Sequence, residues 1–195
     1  SGKTYQKLLV APQGISKKLL QLIDEEIQAV KKYGKGLIIA KMNSLEDPQM
    51  IEAFYKAAQA GVEIHLIVRG FCMLKSGLPK LSQKIKVYSL IGRFLEHSRI
   101  YYFGSQAKGS KESKIYIGSP DLMFRNLHER NEILMPVLDP KFKAEVKEIL
   151  KTQLTDNHNL WLQKPDGSYQ RVQKSKKQKT KNSHLLFFGE QKIRL

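Results

Sequence analysis

The stretch Val62-Glu63-Ile64-His65-Leu66-Ile67-Val68 runs straight into Arg69-Gly70. It is apolar nearly throughout, as a strand covered on both faces should be. Working back from it, Gly61 ends a helix whose apolar stripe is Ile51, Phe54, Tyr55 and Ala58. Asp47-Pro48 opens that helix with an acidic cap and a proline in the first turn. Leu37 to Ala40 is the strand before it. Earlier still, Leu19, Leu20, Ile23, Ile27 and Val30 recur at helical spacing, with Ser16 as the predicted N-cap and Gly34 as the stop. Lys7 to Ala11 is a short buried strand ended by Pro12 and Gly14. Strand, helix, strand, helix, strand is the pattern of a parallel sheet with right-handed crossovers.

After Gly70 the pattern changes. Lys84 to Leu90, Arg99 to Phe103 and Lys114 to Gly118 read as strands without helices between them. The last two flank a Gly- and Ser-containing loop and are expected to pair as an antiparallel hairpin. Asn131 to Leu138 is a further strand, and Asp139-Pro140 starts a final helix that reaches about Leu150. The expected fold class is α/β: a mixed sheet, parallel βαβαβ at first and then an antiparallel hairpin, with helices packed on both faces. From Gln163 the composition shifts. Pro165-Asp166-Gly167 is a turn, and Lys174, Lys176, Lys177, Lys179 and Lys181 form a basic run that reads as solvated. His184 to Phe188 reads as a short strand or a segment that docks on a partner. The expected division is one domain over 1–169 and a basic, flexible tail over 170–195.

A chain of 195 residues suits one domain with a tail, and 41% hydrophobic residues exclude wholesale disorder. Lys and Arg number 34 against 18 Asp and Glu, a formal charge of +16. That excess favours polyanionic partners: nucleic acid, anionic lipid or chains of phosphate. Cys72 is the lone cysteine, so an intrachain disulfide and a thiolate metal cluster are both excluded. No metal ligands are predicted in this chain. Neither a signal-type leader nor a run of the roughly 20 apolar residues needed to span a membrane appears. A cytoplasmic setting is expected, with peripheral membrane association left open. The chain begins Ser-Gly-Lys-Thr-Tyr without an initiator Met and is expected to be a piece of something longer.

His97-Ser98-Arg99 stands just before the predicted hairpin, and Gly118-Ser119-Pro120-Asp121 at its end. A histidine entering a strand is by itself more often structural than catalytic. Paired with a cation two residues on and a Gly-Ser turn, it fits a phosphate site. The imidazole serves as nucleophile or proton donor, Arg99 holds non-bridging oxygens, and Ser119 with the backbone donates further bonds. Lys41 and Asn43 follow a strand end, where open α/β sheets bind ligands, so pocket and plain loop are both open for them. Other residues read as structural: His65 as a packed or partly exposed strand residue, Cys72 as a small core residue. Glu25, Glu26, Lys31 and Lys32 read as an exposed helix face.

His97-x-Arg99 followed by Gly118-Ser119 resembles the phospholipase D motif, H-x-K-x4-D then G-S-x-N. Arg99 replaces the lysine, and Gly104 stands where the aspartate belongs, which weighs against an ordinary phosphodiesterase. A second resemblance accommodates those departures. Ala40-Lys41-Met42-Asn43-Ser44-Leu45 with Asp47-Pro48, Ala60-Gly61-Val62, Leu66 to Cys72, and Ile91 to Phe103 resemble the long-chain polyphosphate kinase family. Met123-Phe124-Arg125-Asn126-Leu127 and Leu154-Thr155-Asp156-Asn157 extend the likeness, which covers about Lys7 to Tyr169.

This resemblance implies a phospholipase-D-like C-terminal domain of a polyphosphate kinase, which contributes to reversible transfer of the terminal phosphate of ATP to polyphosphate. A histidine in a preceding domain carries the phosphoryl group, so this chain alone is expected to be inactive. His97 matches the family's second active-site histidine, and Arg69 its nucleotide-binding arginine. Arg93, Arg125 and Asn126 lie beside the matching motifs and are candidate phosphate contacts. Mg2+ arrives with ATP, and its protein ligands belong to the preceding part. The implied partners are ATP or ADP, polyphosphate, the preceding domains of the same polypeptide and further copies of it in a homo-oligomer, with no specific nucleic acid. Two rivals remain: a homodimeric phospholipase-D-type phosphodiesterase or nuclease, and a non-catalytic polyanion-binding module. The phosphate-site reading expects Arg69, His97, Ser119 and Asn126 to face one cleft at the C-terminal edge of the parallel strands.

Overall fold

The helices that start at Pro48 and Pro140 carry side-chain caps, and the one that starts at Ile15 does not. The computed structural model describes residues 7–104 and 113–190. Strand β1 (Leu9–Val10) leads into α1 (Ile15–Tyr33), whose N-cap is Gly14, so Ser16 lies inside the first turn instead of capping it. Gly34 closes α1 in the left-handed conformation, φ 71°, with its N–H on the Val30 carbonyl, the conformation glycine adopts most easily. Strand β2 (Leu37–Met42) precedes α2 (Pro48–Gln59), where the Asp47 carboxylate accepts from the Met50 N–H at 2.9 Å. Strand β3 is Glu63–Val68 and β4 Ile85–Leu90, with no helix in the connection between them. Strands β5 (Ile100–Phe103) and β6 (Lys114–Gly118) pair antiparallel. Residues 105–112, which contain most of the predicted Gly- and Ser-containing loop, lie outside the described residues.

A short helix, α3 (Phe124–His128), leads to β7 (Ile133–Pro136), and α4 (Pro140–Leu154) starts at the predicted Asp139 cap. Two strands that sequence reading missed follow, β8 (Leu160–Gln163) and β9 (Tyr169–Arg171). They are only four and three residues long, too short for a period to register. The predicted Pro165-Asp166-Gly167 turn joins them, with Gly167 at φ 89°. The described strands form one sheet in the order β1-β7-β6-β5-β2-β3-β4-β8-β9. β2, β3 and β4 are parallel, and β5, β6 and β7 add antiparallel on one side, β8 and β9 on the other.

Both faces are covered, and the pleat shows it directly. Along β2, Ile38, Ala40 and Met42 pack in the core with α1 and α2, while Ile39 points into the core under α4. Along β5, Tyr101 and Phe103 take the first side, Ile100 and Tyr102 the second. Glu26 departs from the expected exposed helix face. It is fully buried, and its Oε2 accepts from the Leu37 N–H at 3.0 Å. A charged acceptor can sit there because a backbone donor at the start of β2 meets it. His184 to Phe188 is neither strand nor loop but lies in α5 (Ser183–Glu190). That helix starts where Asp156 Oδ2 accepts from the Ser183 N–H and hydroxyl, both at 2.7 Å, and the Asn182 side chain accepts from the Leu185 N–H at 3.2 Å.

One close approach is testable. A Cβ on Gly118, the last residue of β6, would lie 2.1 Å from the Ile133 carbonyl oxygen and 3.0 Å from the Leu134 Cα. Both obstacles are backbone, so they cannot rotate away. Gly118→Ala is expected to push β6 from β7 and to cost about 1–3 kcal/mol. A urea denaturation midpoint shifted downward checks this; an unchanged midpoint would show that the two strands tolerate separation.

Candidate functional site

Strand direction brings the sequence motifs to one edge. Val68 ends β3 beside Met42 at the end of β2, and β5 runs antiparallel, with Ile100 opposite Lys41. His97 and Arg99 therefore enter at the edge where Asn43 and Arg69 leave. β6 returns to it with Gly118, and β7 starts there beside it, with Leu134 opposite Gly118. The loops are stitched to one another above the sheet. Leu45 makes bridges to Cys72 and Leu122, and the Glu46 and Asp47 N–H groups donate to the Leu122 carbonyl at 2.9 and 3.0 Å.

A continuous chain of polar contacts crosses this edge. Arg69 donates from Nε and Nη2 to the Asn43 side-chain oxygen at 3.1 and 2.8 Å. Asn43 donates its backbone N–H to Asp121 Oδ1 at 2.7 Å and its amide to both carboxylate oxygens at 3.2 and 3.3 Å. Arg99 grips the same carboxylate from the other side, Nε to Oδ1 and Nη2 to Oδ2, each at 3.2 Å. The remaining nitrogen, Nη1, lies 2.9 Å from His97 Nδ1 and 2.9 Å from the His97 carbonyl. A guanidinium only donates, so Nδ1 is the acceptor and the neutral imidazole carries its proton on Nε2. His97 is exposed and Arg69 half-buried. Burial pushes the Asp121 carboxyl up, but the bonds from Arg99 and Asn43 outweigh it and hold the group below the usual carboxylate range. Tyr101 locks the adjoining turn by donating its hydroxyl to the Pro120 carbonyl at 2.7 Å.

Beneath the His97 loop sits a buried cation. Lys41 Nζ donates to the Ser98 carbonyl at 3.0 Å and pairs with Glu96 at 3.3 Å, its side chain 3% exposed. Burial lowers its pKa, against the opposing pull of Glu96. Gln153 of α4 donates to Glu96 at 2.5 Å, so the segment just before and after His97 is tied to β2 and to α4.

The predicted residues thus separate. Arg69 and His97 stand at the two ends of one polar chain, and Asn43 lies between them. Arg99 is not open as a phosphate clamp, because all three of its guanidinium nitrogens are engaged with Asp121 and His97. Lys41 is likewise a buried anchor and not a phosphate contact. Ser119, itself exposed, donates its hydroxyl to Glu132, and the buried Asn126 donates to Glu132 at 2.5 Å, so both side chains are engaged with that carboxylate. Arg93 is exposed over the Phe94 ring, and Arg125 is exposed on α3 with no ion pair among the described residues. Cys72 packs half-buried beside the core, which pushes its thiol up to about 11. Sequence reading passed over Asp121, Glu96 and Glu132 as site residues. A clue was available in the acids beside His97 and Ser119, but one partner of Glu96, Gln153, lies 57 residues away and the other, Lys41, is likewise remote, so no spacing rule reaches them.

Comparison with known proteins identifies the fold and the family. Nuc of Salmonella typhimurium, a phospholipase D family member, aligns over 76% of this chain and 92% of its own with a TM-score of 0.50 at 13% identity. The architecture is therefore phospholipase-D-like. The family model for polyphosphate kinase C-terminal domain 2 matches residues 8–183, and the chain belongs to that family. The polyphosphate kinase of Bacillus cereus (strain ATCC 14579) is 50% identical over 165 residues, covering 85% of this chain and 23% of the relative. That of Thermosynechococcus vestitus is 45% identical over 187 residues, 96% of this chain and 25% of the relative. The crystal structure of the polyphosphate kinase from Porphyromonas gingivalis superposes with a TM-score of 0.90 at 34% identity, over 97% of this chain and 28% of that one. The chain thus spans about a quarter of the length of the curated relatives it matches.

Two outcomes follow for the polar chain. The folded Asp121 lies below its unfolded value, so its contribution is full above the ordinary carboxylate range, about pH 4, and is lost as pH falls through the folded value. Asp121→Asn is expected to lower stability at pH 7 by about 2 kcal/mol and to flatten the acid limb of the stability profile. An acid limb identical to the parent's would remove Asp121 from that role. Lys41→Met leaves Glu96 without its cation and should cost about 3 kcal/mol, the low end for a broken buried pair. The double variant Lys41→Met/Glu96→Gln should recover part of the loss, and a double-mutant cycle by denaturation measures the coupling; simple additivity would mean that the pair is not coupled.

Proposed function

We propose that this chain forms the C-terminal part of the active site of an ATP:polyphosphate phosphotransferase, working reversibly on ATP or ADP and polyphosphate. The observation that carries the reading is the single polar chain from Arg69 through Asn43, Asp121 and Arg99 to His97. It sets one incompletely bonded guanidinium and one exposed imidazole on the same sheet edge, in a member of the polyphosphate kinase C-terminal family. Arg69 Nη1 makes no hydrogen bond among the described residues and is directed to the non-bridging oxygens of a bound phosphate. His97, fixed at Nδ1 by Arg99, presents Nε2–H. That N–H can donate a hydrogen bond to a phosphoryl oxygen as charge develops there. Phosphoryl transfer is mostly positioning and charge neutralisation, which is what these two groups supply.

The histidine that carries the phosphoryl group belongs, on this reading, to the preceding part of the polypeptide, as do the adenine contact and any protein ligands of magnesium. The residues here do not suit a resident metal. Asp121 is already shared by Arg99 and Asn43, and no group of three or more His, Cys, Asp or Glu able to hold an ion occurs among the described residues. Mg2+ is accordingly assigned to the nucleotide. A homo-oligomer in a cytoplasmic setting is part of the same proposal. No helix among the described residues is long and apolar enough to cross a membrane.

The test uses the full polypeptide that contains this chain. His97→Ala should lower kcat by about 10²–10³-fold, the usual worth of one positioned donor to developing charge, with an unchanged melting temperature. Arg69→Ala should raise KM for the nucleotide and lower kcat together, and Arg69→Lys should restore only part, since lysine lacks the planar fork. Wild-type kinetics in either alanine variant would overturn the role assigned to that residue.

A further inference from the structure

From Arg171 to Lys181 the sequence reads Arg-Val-Gln-Lys-Ser-Lys-Lys-Gln-Lys-Thr-Lys, six cations with no acid among them. Every residue from Gln173 to Lys181 is exposed, and none of the lysines has a carboxylate partner among the described residues. A free solvated tail would need no anchoring, yet this segment is held at both ends and across its middle. Arg171 Nε donates to the His158 carbonyl at 2.8 Å, the Asn157 N–H to the Lys181 carbonyl at 3.0 Å, the Lys181 N–H to the Asn157 side-chain oxygen at 2.8 Å, and the Asn157 amide to the Lys179 carbonyl at 3.1 Å. Lys174 Nζ reaches the Thr180 hydroxyl at 2.7 Å, and a turn closes between Ser175 and Gln178. A cavity of about 380 Å³ opens under this loop, lined by Asn157, His158, Arg171, Lys174 and Thr180.

Its place in the sheet matters as much as its charge. β8 runs antiparallel to β4 with Leu160 opposite Leu90, and β9 antiparallel to β8 with Arg171 opposite Trp161. The loop therefore leaves and returns at the same edge as Arg69 and His97. β9 is three strand positions from β3, roughly 14 Å at the usual interstrand spacing. Arg93, exposed just beyond β4, stands in that interval, and the far end of the loop runs into α5, whose His184 Nδ1 accepts from the Phe94 N–H at 3.0 Å.

We infer that the loop 171–181 is an accessory binding site for the polyphosphate chain, continuous with the phosphate site through Arg93. The inference rests on the proposed function and extends it to a site outside the transfer chemistry. The ligand it fits is a flexible polyanion with closely spaced charges and nothing else to recognise. Lysines act as point charges on such a ligand without demanding a fixed orientation. From Gln173 to Lys181 there is no aromatic side chain to stack on a base, and no apolar side chain to enter a lipid surface. Like charges crowded this way repel one another unless an anion is bound.

The experiment compares the full polypeptide with the variant K176Q/K177Q/K179Q/K181Q, which leaves the Lys174–Thr180 bond in place, and with the charge-keeping set K176R/K177R/K179R/K181R. Binding of long-chain polyphosphate and of tripolyphosphate is measured at low and high salt, alongside KM for long-chain polyphosphate and for ADP in ATP formation. Four weak exposed contacts should together lower long-chain affinity on the order of tenfold at low salt. The deficit should close as salt screens the charges. Tripolyphosphate affinity and KM for ADP should stay unchanged, and the arginine set should bind as the parent does. Equal loss for both lengths, no loss, or loss in both sets would overturn the inference. So would a single-stranded oligonucleotide or an anionic vesicle of matched charge competing as well as polyphosphate. Length-dependent, loop-dependent binding in a parent protein without phosphotransfer would sink the proposed function and leave the loop site standing.

Discussion

The Asp121 carboxylate is the constraint on which the edge depends. It is buried, and burial of an anion is tolerable only when donors surround it. Those donors come from two separate places, the end of β2 through Asn43 and the entrance of β5 through Arg99, and Asn43 in turn accepts from Arg69 at the end of β3. One charge thereby fixes the relative positions of strand ends that lie far apart in sequence. It also determines which groups stay open. Arg99 becomes a support for His97, while Arg69 keeps Nη1 without a hydrogen bond among the described residues.

Lys41 does for the His97 loop what Asp121 does for the arginines. A buried ammonium ties the Ser98 carbonyl and Glu96 to the central strand, and Gln153 adds a tie to α4. The residues on both sides of His97 are thus anchored. On the proposed function, which relies on positioned charge more than on covalent chemistry, a histidine and an arginine held this way fit the roles assigned to them. The open side of the edge is consistent with a chain that spans a quarter of its relatives.

Legibility followed range. The Asp47-Pro48 and Asp139-Pro140 helix starts were readable because a cap acts over three residues and needs no partner from elsewhere. The apolar runs at Leu37 and Val62 announced buried strands for the same local reason. Glu26 was misread because its acceptor role depends on the Leu37 N–H, eleven residues on, which no helical wheel contains. β8 and β9 were missed because strands this short owe their existence to the neighbour they pair with. His184 to Phe188, apolar and aromatic, offered no local reason to prefer helix over strand; Asp156 and Asn182 supply it from outside.

By itself the sequence determined the α/β class, the parallel core with its antiparallel hairpin, and the family to which the motifs around Arg69 and His97 belong. Local rules suffice for these, since capping, period and short motifs are properties of neighbouring residues. Only the tertiary structure decided what each charged side chain does. Arg99, Ser119 and Asn126 looked like phosphate contacts in the sequence, Lys41 could have lined a pocket or a plain loop, and folding gave each an internal partner. The physical reason is that a buried or half-buried polar group must be satisfied by whatever the fold brings within about 3 Å. Those partners, Glu96, Asp121 and Glu132, arrive through the register of strands and not through the order of residues.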